Sequence, residues 1–210
     1  MKIYKDKTKS KSYFYYYGWA ILAFLAGFFL IFFLIFQAMF YVKKTQRIDI
    51  FIAAYGVKDD NFKKAIEKEY KKDGLIEVNI YSYLESDKNL YNYFSANGEK
   101  ADFIIFSETN INEMQEYVPE NYVNLSALAS DIPSLSKYET TEYGIKLFDG
   151  SNDEYNNKFT YTDTFEFTKE GVDKESYYLL VDKESPNFDK EKNHTLGFSV
   201  LEYFLSYHEK

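Results

Sequence analysis

The chain reads as an α/β protein, a parallel three-layer sheet preceded by one transmembrane helix. Three observations carry that expectation. Ala20–Phe36, AILAFLAGFFLIFFLIF, contains no polar side chain. Beyond it, three apolar runs rich in β-formers follow one another: Ile48–Tyr55, Ile76–Tyr83 and Ala101–Ser107. Between them lie two amphipathic stretches with polar ends. Strand–helix–strand–helix–strand with short turns predicts parallel strands joined by right-handed crossovers.

Extended through Gln37 to Val42, the apolar stretch gives roughly 23 residues. As a helix that is about 34 Å, against a hydrocarbon core of about 30 Å. Lys2, Lys5, Lys7, Lys9 and Lys11 precede it beside a single acid, Asp6, whereas Lys43, Lys44 and Arg47 follow it. The heavier basic flank predicts a cytoplasmic N-terminus and a C-terminal domain on the far side. Tyr13, Tyr15, Tyr16, Tyr17 and Trp19 at the entry, with Phe40 and Tyr41 at the exit, are rings suited to headgroup depth. The apolar region is longer than a signal-peptide core of about 7–15 residues and no small-x-small cleavage site follows, so it reads as an uncleaved anchor. The expected organisation is a basic tail over 1–17, a transmembrane helix over 18–42, a juxtamembrane link over 43–47 and a folded domain over 48–210.

Composition narrows what that domain can be. The first 42 residues carry five lysines and one aspartate, so the chain's net charge of −8 leaves −12 for the rest. A surface of that sign repels phosphate backbones and argues against nucleic acid as a partner. With no cysteine there is no disulfide and no lipid-bearing cysteine, so packing alone must hold the fold. The 22 tyrosines and 20 phenylalanines supply that packing; they also suit stacking on sugar rings, but core filling accounts for most of them.

In order, Ile48–Tyr55 is a buried strand ending at Gly56. Asp59 and Asp60 cap a helix reaching about Lys72, with Phe62, Ala65, Ile66 and Tyr70 on one face, and Asp73-Gly74 ends it. Ile76–Tyr83 alternates as a half-buried strand. A helix over about Asp87–Ala96 buries Leu90, Tyr93 and Phe94 and stops at Asn97-Gly98, and Ala101–Ser107 is a strand with a near-continuous apolar centre. Short helical pieces are expected at Asn112–Tyr117 and Asn124–Asp131, a strand at Tyr143–Asp149 and a polar loop at Gly150–Asn157. Phe159, Tyr161, Phe165 and Phe167 alternate as a hairpin or extended excursion. Tyr177–Val181 is a strand, Ser185-Pro186-Asn187 a turn, and Leu196–Tyr207 a helix with an apolar stripe.

Enzyme signatures are missing: there is no G-x-S-x-G, P-loop, G-x-G-x-x-G or H-E-x-x-H. His194 and His208, flanked by Lys and Glu, read as surface residues, and no cofactor or metal is expected. Asp149, Asn152, Asp153 and Glu154 lack the alternation and the terminal bidentate Glu of a calcium loop. Topology gives a sharper candidate. In open parallel sheets ligands sit beyond the carboxyl ends of the strands, where the chain order reverses. With the first strand central, that point is flanked by Tyr55, Gly56 and Val57 and by Ser107, Glu108, Thr109 and Asn110. An aromatic face, a glycine and several hydrogen-bonding groups are what a sugar or polyol requires. The competing reading is that Glu108 to Asn110 cap the next helix, and the two roles are compatible.

IDIFIAAYGVKDDNFKKAIEKEYKKDGLIEVNIYSY, followed by NYFSANGEKADFIIFSE, resembles the N-terminal lobe of bacterial extracellular solute-binding proteins that serve carbohydrate ABC importers. The corresponding pieces are Gly74–Val78, Ser95–Gly98 and Ala101–Ile104, with YVNLSAL at Tyr122–Leu128 and a closing segment that begins YYLLV at Tyr177. The resemblance implies one lobe of a periplasmic-binding-protein-like fold, a solute such as a sugar or polyol, and an importer permease or another membrane protein as partner. It implies no catalysis. Two departures stand out. Tyr143-Gly144-Ile145 is followed by Tyr177 after only about 30 residues, too few for the family's second lobe, and a helix replaces the family's lipid-bearing cysteine. The alternative is therefore an interaction or sensory module that docks on a membrane partner without solute. Its candidate surface is Phe159–Phe167.

Overall fold

A computed structural model describes residues 7–58, 60–84, 89–98, 100–114, 130–141, 144–182, 184–189 and 195–206. The chain divides into two units, Met1–Tyr41 and Val42–Lys210. The first contains one helix, α1 (Lys7–Phe40). Within it Tyr17–Phe40, 24 residues, is long and apolar enough to cross a membrane, and none of it is buried within the protein. Its apolar side chains point in every direction, which suits a surround that is apolar on all sides.

The second unit is a mixed α/β domain on a five-stranded, mostly parallel sheet. β1 (Arg47–Ala54) pairs in parallel with β3 (Glu77–Leu84) on one side and β4 (Phe103–Ser107) on the other. β5 (Ile145–Phe148) and β7 (Tyr177–Val181) complete the order β3-β1-β4-β7-β5. A two-residue strand, β2 (Gly56–Val57), pairs antiparallel with β6 (Phe165–Glu166).

Side-chain alternation along β1 divides the core between two faces. Ile48, Ile50, Ile52 and Ala54 pack on the face covered by α2 (Asp60–Tyr70) and α6 (Leu196–Ser206), which contribute Phe62, Ile66, Val200, Leu201 and Phe204. Phe51 and Ala53 pack on the other face with Phe94 of α3 (Leu90–Asn97) and Ile111 of α4 (Glu108–Glu113). Being covered on both faces is why β1 reads as a continuous apolar run from Ile50 to Ala54. Gly74 ends the α2 segment at φ 94, a left-handed turn in which glycine is unstrained.

The structure corrects several expectations. The sheet is not wholly parallel: β7 runs antiparallel to both neighbours, with Phe103↔Val181 and Ser107↔Tyr177 opposite one another. An apolar five-residue run carries no information about its direction. The residues read as a link, 43–47, belong to the domain: Lys44–Gln46 form a 3-10 turn, and β1 already starts at Arg47. The helix expected at Asn112–Tyr117 starts at Glu108, directly from the end of β4. The polar loop Gly150–Asn157 holds one helical turn, α5 (Asp153–Asn156), capped by Asn152 Oδ1, which accepts from the Glu154 and Tyr155 amides.

The Phe159–Phe167 excursion is neither a hairpin nor a docking surface. Thr160–Asp163 make a 3-10 turn, and β6 pairs with the distant β2. Phe159, Tyr161, Phe165 and Phe167 are all at most 3 % exposed. Their rings meet Phe62 and Phe204, with Tyr161 stacked at 5.4 Å on Phe204 and Phe62 edge-on to Tyr161 at 4.7 Å. Burying four large rings outweighs anything their exposure would offer without a partner. Asp59, Asp87, the stretch 115–129 with its Tyr122–Leu128 motif, Tyr143, His194 and His208 lie outside the described residues.

Candidate functional site

At the carboxyl edge of the sheet, the strands part in the middle. The β1–β4 ladder ends at Ile52↔Ile105, although both strands run two residues further. β1 stays paired with β3 to Ala54↔Leu84, and β4 with β7 to Ser107↔Tyr177. The sheet thus opens between two intact pairs, at the point where chain order reverses. All seven residues singled out from the sequence flank this opening, in three different situations, Val57 being half-buried and paired with Phe165.

Ser107 and Asn110 are structural. Ser107, 1 % exposed, caps α4 by accepting the Asn110 amide at 3.2 Å, and Asn110 is buried beside it. Glu108 and Thr109 are exposed on the first turn of α4, where an acid is favoured by the helix dipole. The Glu108 amide donates to Ser176 O at 2.9 Å, which ties this turn to the start of β7. Tyr55 and Gly56 are half-buried. The Tyr55 amide donates to Glu166 O (3.0 Å) and the Lys58 amide to Thr164 O (2.7 Å), so β6 covers the turn after β1. A Cβ on Gly56 would lie 2.5 Å from Glu166 Oε2. The space expected for a ligand over Gly56 holds the Glu166 carboxylate, itself paired to Lys58 Nζ at 2.8 Å.

Next to Glu108 is a group that sequence reasoning missed. Tyr178 of β7 lies opposite Lys146 of β5. Burial, then the Glu108 charge, raise the Tyr178 phenol above its usual range, with Lys146 acting the other way. Burial works against the Lys146 ammonium, but the Glu139 hydrogen bond (3.0 Å) and the charges of Tyr178, Asp149 and Glu139 outweigh it, and its pKa moves up. The Asp149 carboxyl, despite some burial, is drawn down by Ser151 and Lys146. The only sequence signal was a lysine alternating within the apolar IKLF.

The amino edge holds a second polar cluster, also missed. Asp49 and Asp102, 3 % and 0 % exposed, sit in the apolar surroundings of β1 and β4. Lys44 Nζ donates to Asp49 Oδ2 (2.7 Å), to Lys100 O (2.6 Å) and to Asp102 Oδ2 (3.4 Å). Arg47 Nε and Asn79 Nδ2 complete the shell of Asp49, at 3.1 and 3.0 Å. Asp102 further accepts the Asp49 amide (2.7 Å), the Ser185 hydroxyl and Asn187 Nδ2 (2.9 Å). Asn187 Nδ2 also donates to Lys44 O and Arg47 O. Burial raises the Asp102 pKa, opposed by Lys44 and by these hydrogen bonds. Burial, reinforced by Asp102, likewise raises Asp182. Charged residues inside IDIFIAA and before FIIF were the available signal: an acid there survives only if its hydrogen bonds are met.

Among the described residues no group of three or more His, Cys, Asp or Glu side chains is arranged to hold a metal ion. Comparisons with protein-family models, with curated proteins and with solved structures each returned no match.

Proposed function

We propose that this chain is a membrane-anchored, extracytoplasmic solute-binding component associated with a carbohydrate-type ABC importer. α1 is its single membrane span, with the N-terminus cytoplasmic. The observation that carries the reading is the opening of the sheet at its carboxyl edge, between β1 and β4, with Tyr55, Glu108 and Thr109 at its rim. Tyr55 offers a ring to stack on, and Glu108 and Thr109 offer an acceptor and a hydroxyl. The central β1 flanked by β3 and β4, with the C-terminal strand returning to the same sheet, is consistent with one periplasmic-binding-like lobe. In this reading the domain binds solute without transforming it; the side chains at this edge provide the Glu108 and Glu166 carboxylates, hydroxyls and phenols as hydrogen-bonding groups.

The test is a thermal-shift screen of the full chain in nanodiscs against mono- and oligosaccharides. A ligand at about 100 times its Kd stabilises by about 2.7 kcal/mol. Glu108→Ala should remove most of that shift and leave the ligand-free transition unchanged, since only the exposed side chain is lost. Absence of stabilisation by every sugar at millimolar concentration overturns the reading.

One observation favours the alternative, a module that docks on a membrane partner without solute: the Glu166 carboxylate over Gly56. Stoichiometric cross-linking to a membrane protein, without any sugar-dependent shift, would select it.

A further inference from the structure

Lys44 is clamped from several sides, by Asp49, Asp102 and Lys100 O at its ammonium and by Asn187 at its carbonyl. α1 ends at Phe40, so only residues 41–43 lie between it and the clamped turn. Four Cα steps span at most about 14 Å. Flexibility in a longer link would make the domain's surface irrelevant to the bilayer, but a link this short makes it relevant.

The surface adjoining that link has a distinct character. The Ile76 amide donates to Gln46 O at 2.7 Å, which puts the start of β3 beside the clamped turn. Ile76 is 56 % exposed, an apolar β-branched side chain more than half open to solvent. Lys43, Lys71 and Lys72 are exposed at the same corner, on a domain whose net charge is strongly negative. Asp73 and Glu77 are the acids there. An apolar tip rimmed by lysines is the pattern that settles at a headgroup boundary, the apolar atoms reaching the acyl boundary and the ammonium groups meeting phosphate.

We propose that the corner formed by Ile76, Lys43, Lys71 and Lys72 is a membrane-contact patch for anionic phospholipid headgroups. The proposal rests on the reading of α1 as a span. Each lysine contributes about fivefold to the population of the contact at low salt, an effect that salt screens.

The absence of cysteine permits single-site labelling of the full chain. A nitrobenzoxadiazole label is placed at Ile76→Cys, at Val172→Cys on the loop entering β7, and at Phe28→Cys in α1. Each variant is reconstituted in nanodiscs of phosphatidylcholine, with or without phosphatidylglycerol, and quenching by a headgroup-borne nitroxide is read. The expected result is strong quenching at position 76 with phosphatidylglycerol, reduced several-fold by K71E/K72E or by high salt, and little at position 172. Equal, water-like emission at positions 76 and 172 while position 28 reports hydrocarbon overturns the patch and leaves the span intact. Equal quenching in both lipid mixtures overturns the anionic preference. A water-exposed label at position 28 overturns the span and the patch together, whereas loss of sugar binding alone bears on neither.

Discussion

Phe159→Ala separates a core role for the 159–167 excursion from a docking role. Phe159 is 1 % exposed, and its ring lies 5.2 Å from Phe204, 5.7 Å from Tyr161, 6.0 Å from Phe167 and 6.3 Å from Phe165, the last nearly coplanar. Truncating a phenylalanine in such a setting costs about 4 kcal/mol, from lost transfer energy plus the cavity left behind. Its four ring neighbours belong to α6 and to its own segment, so partial collapse can recover little without unstacking Tyr161 from Phe204. For a domain of this size, whose whole stability is of order 5–15 kcal/mol, that is a large fraction. With a urea m-value of about 2 kcal/mol/M, the midpoint should fall by about 2 M. The assay is urea unfolding of the full chain in a mild detergent, followed by far-UV circular dichroism, with α1 as an unchanging background. A shift smaller than about 0.5 M would refute the buried assignment, because a surface ring costs little. It would also return the excursion to the partner-docking reading.

Acidification should first stabilise the domain. The folded-state pKa values of Asp102 and Asp182 are raised, so the folded state binds more protons there than the unfolded chain. Their ionisation opposes folding at neutral pH, and that opposition is relieved as pH falls through their raised values towards the ordinary carboxylate range near ~4. The urea midpoint should therefore rise from pH 7.5 to mildly acidic pH, before the depressed Asp149 protonates and acts oppositely; a midpoint that only falls over this interval counts against the sign. Asn187→Ala removes a donor shared by the Lys44 and Arg47 carbonyls and Asp102 Oδ1, of which Lys44 O keeps the Arg47 amide and Oδ1 keeps the Ser185 hydroxyl, and should cost about 1–2 kcal/mol in urea unfolding while speeding amide exchange over 44–47. A normal exchange pattern there would mean that the segment is held by something else. Gly56→Ala meets only the movable Glu166 side chain, so it should cost about 1 kcal/mol, and less in a Glu166→Ala background. A larger cost that Glu166→Ala fails to relieve would locate the strain in the backbone.

What could be read from the sequence was local. β1, β3, β4, β7 and α6 fall within two residues of the expected boundaries, because continuous apolar runs and a helical stripe state their own burial. The orientation of β7 and the pairing of Gly56–Val57 with Phe165–Glu166 were not legible, since both depend on contacts between distant segments. The alternating rings of 159–167 suit a solvent-facing hairpin as well as a buried turn, and only the neighbouring Phe62 and Phe204 decide between them. At the carboxyl edge the topological argument located the opening and its flanking residues. It allowed for a helix cap here but gave it to Glu108 to Asn110 rather than to Ser107, and it could not foresee that a strand returning from residue 165 covers Gly56. Asp49 was visible as an anomaly in an apolar strand, but its partners beyond that strand, Lys44, Asn79 and Asp102, come from three other segments.

β7 lies between β4 and β5, although β5 precedes it in the chain. Residues 145–148 therefore have no place in the finished sheet until residues 177–181 arrive, and the outer edge of β4 stays unpaired for as long. β5 runs in the same sense as β4, and β7 comes between them either alone or already paired with β5. The delay exposes an apolar edge while it lasts. Completion of this sheet thus waits on one long-range event, the pairing of YYLLV with β4 on one side and β5 on the other.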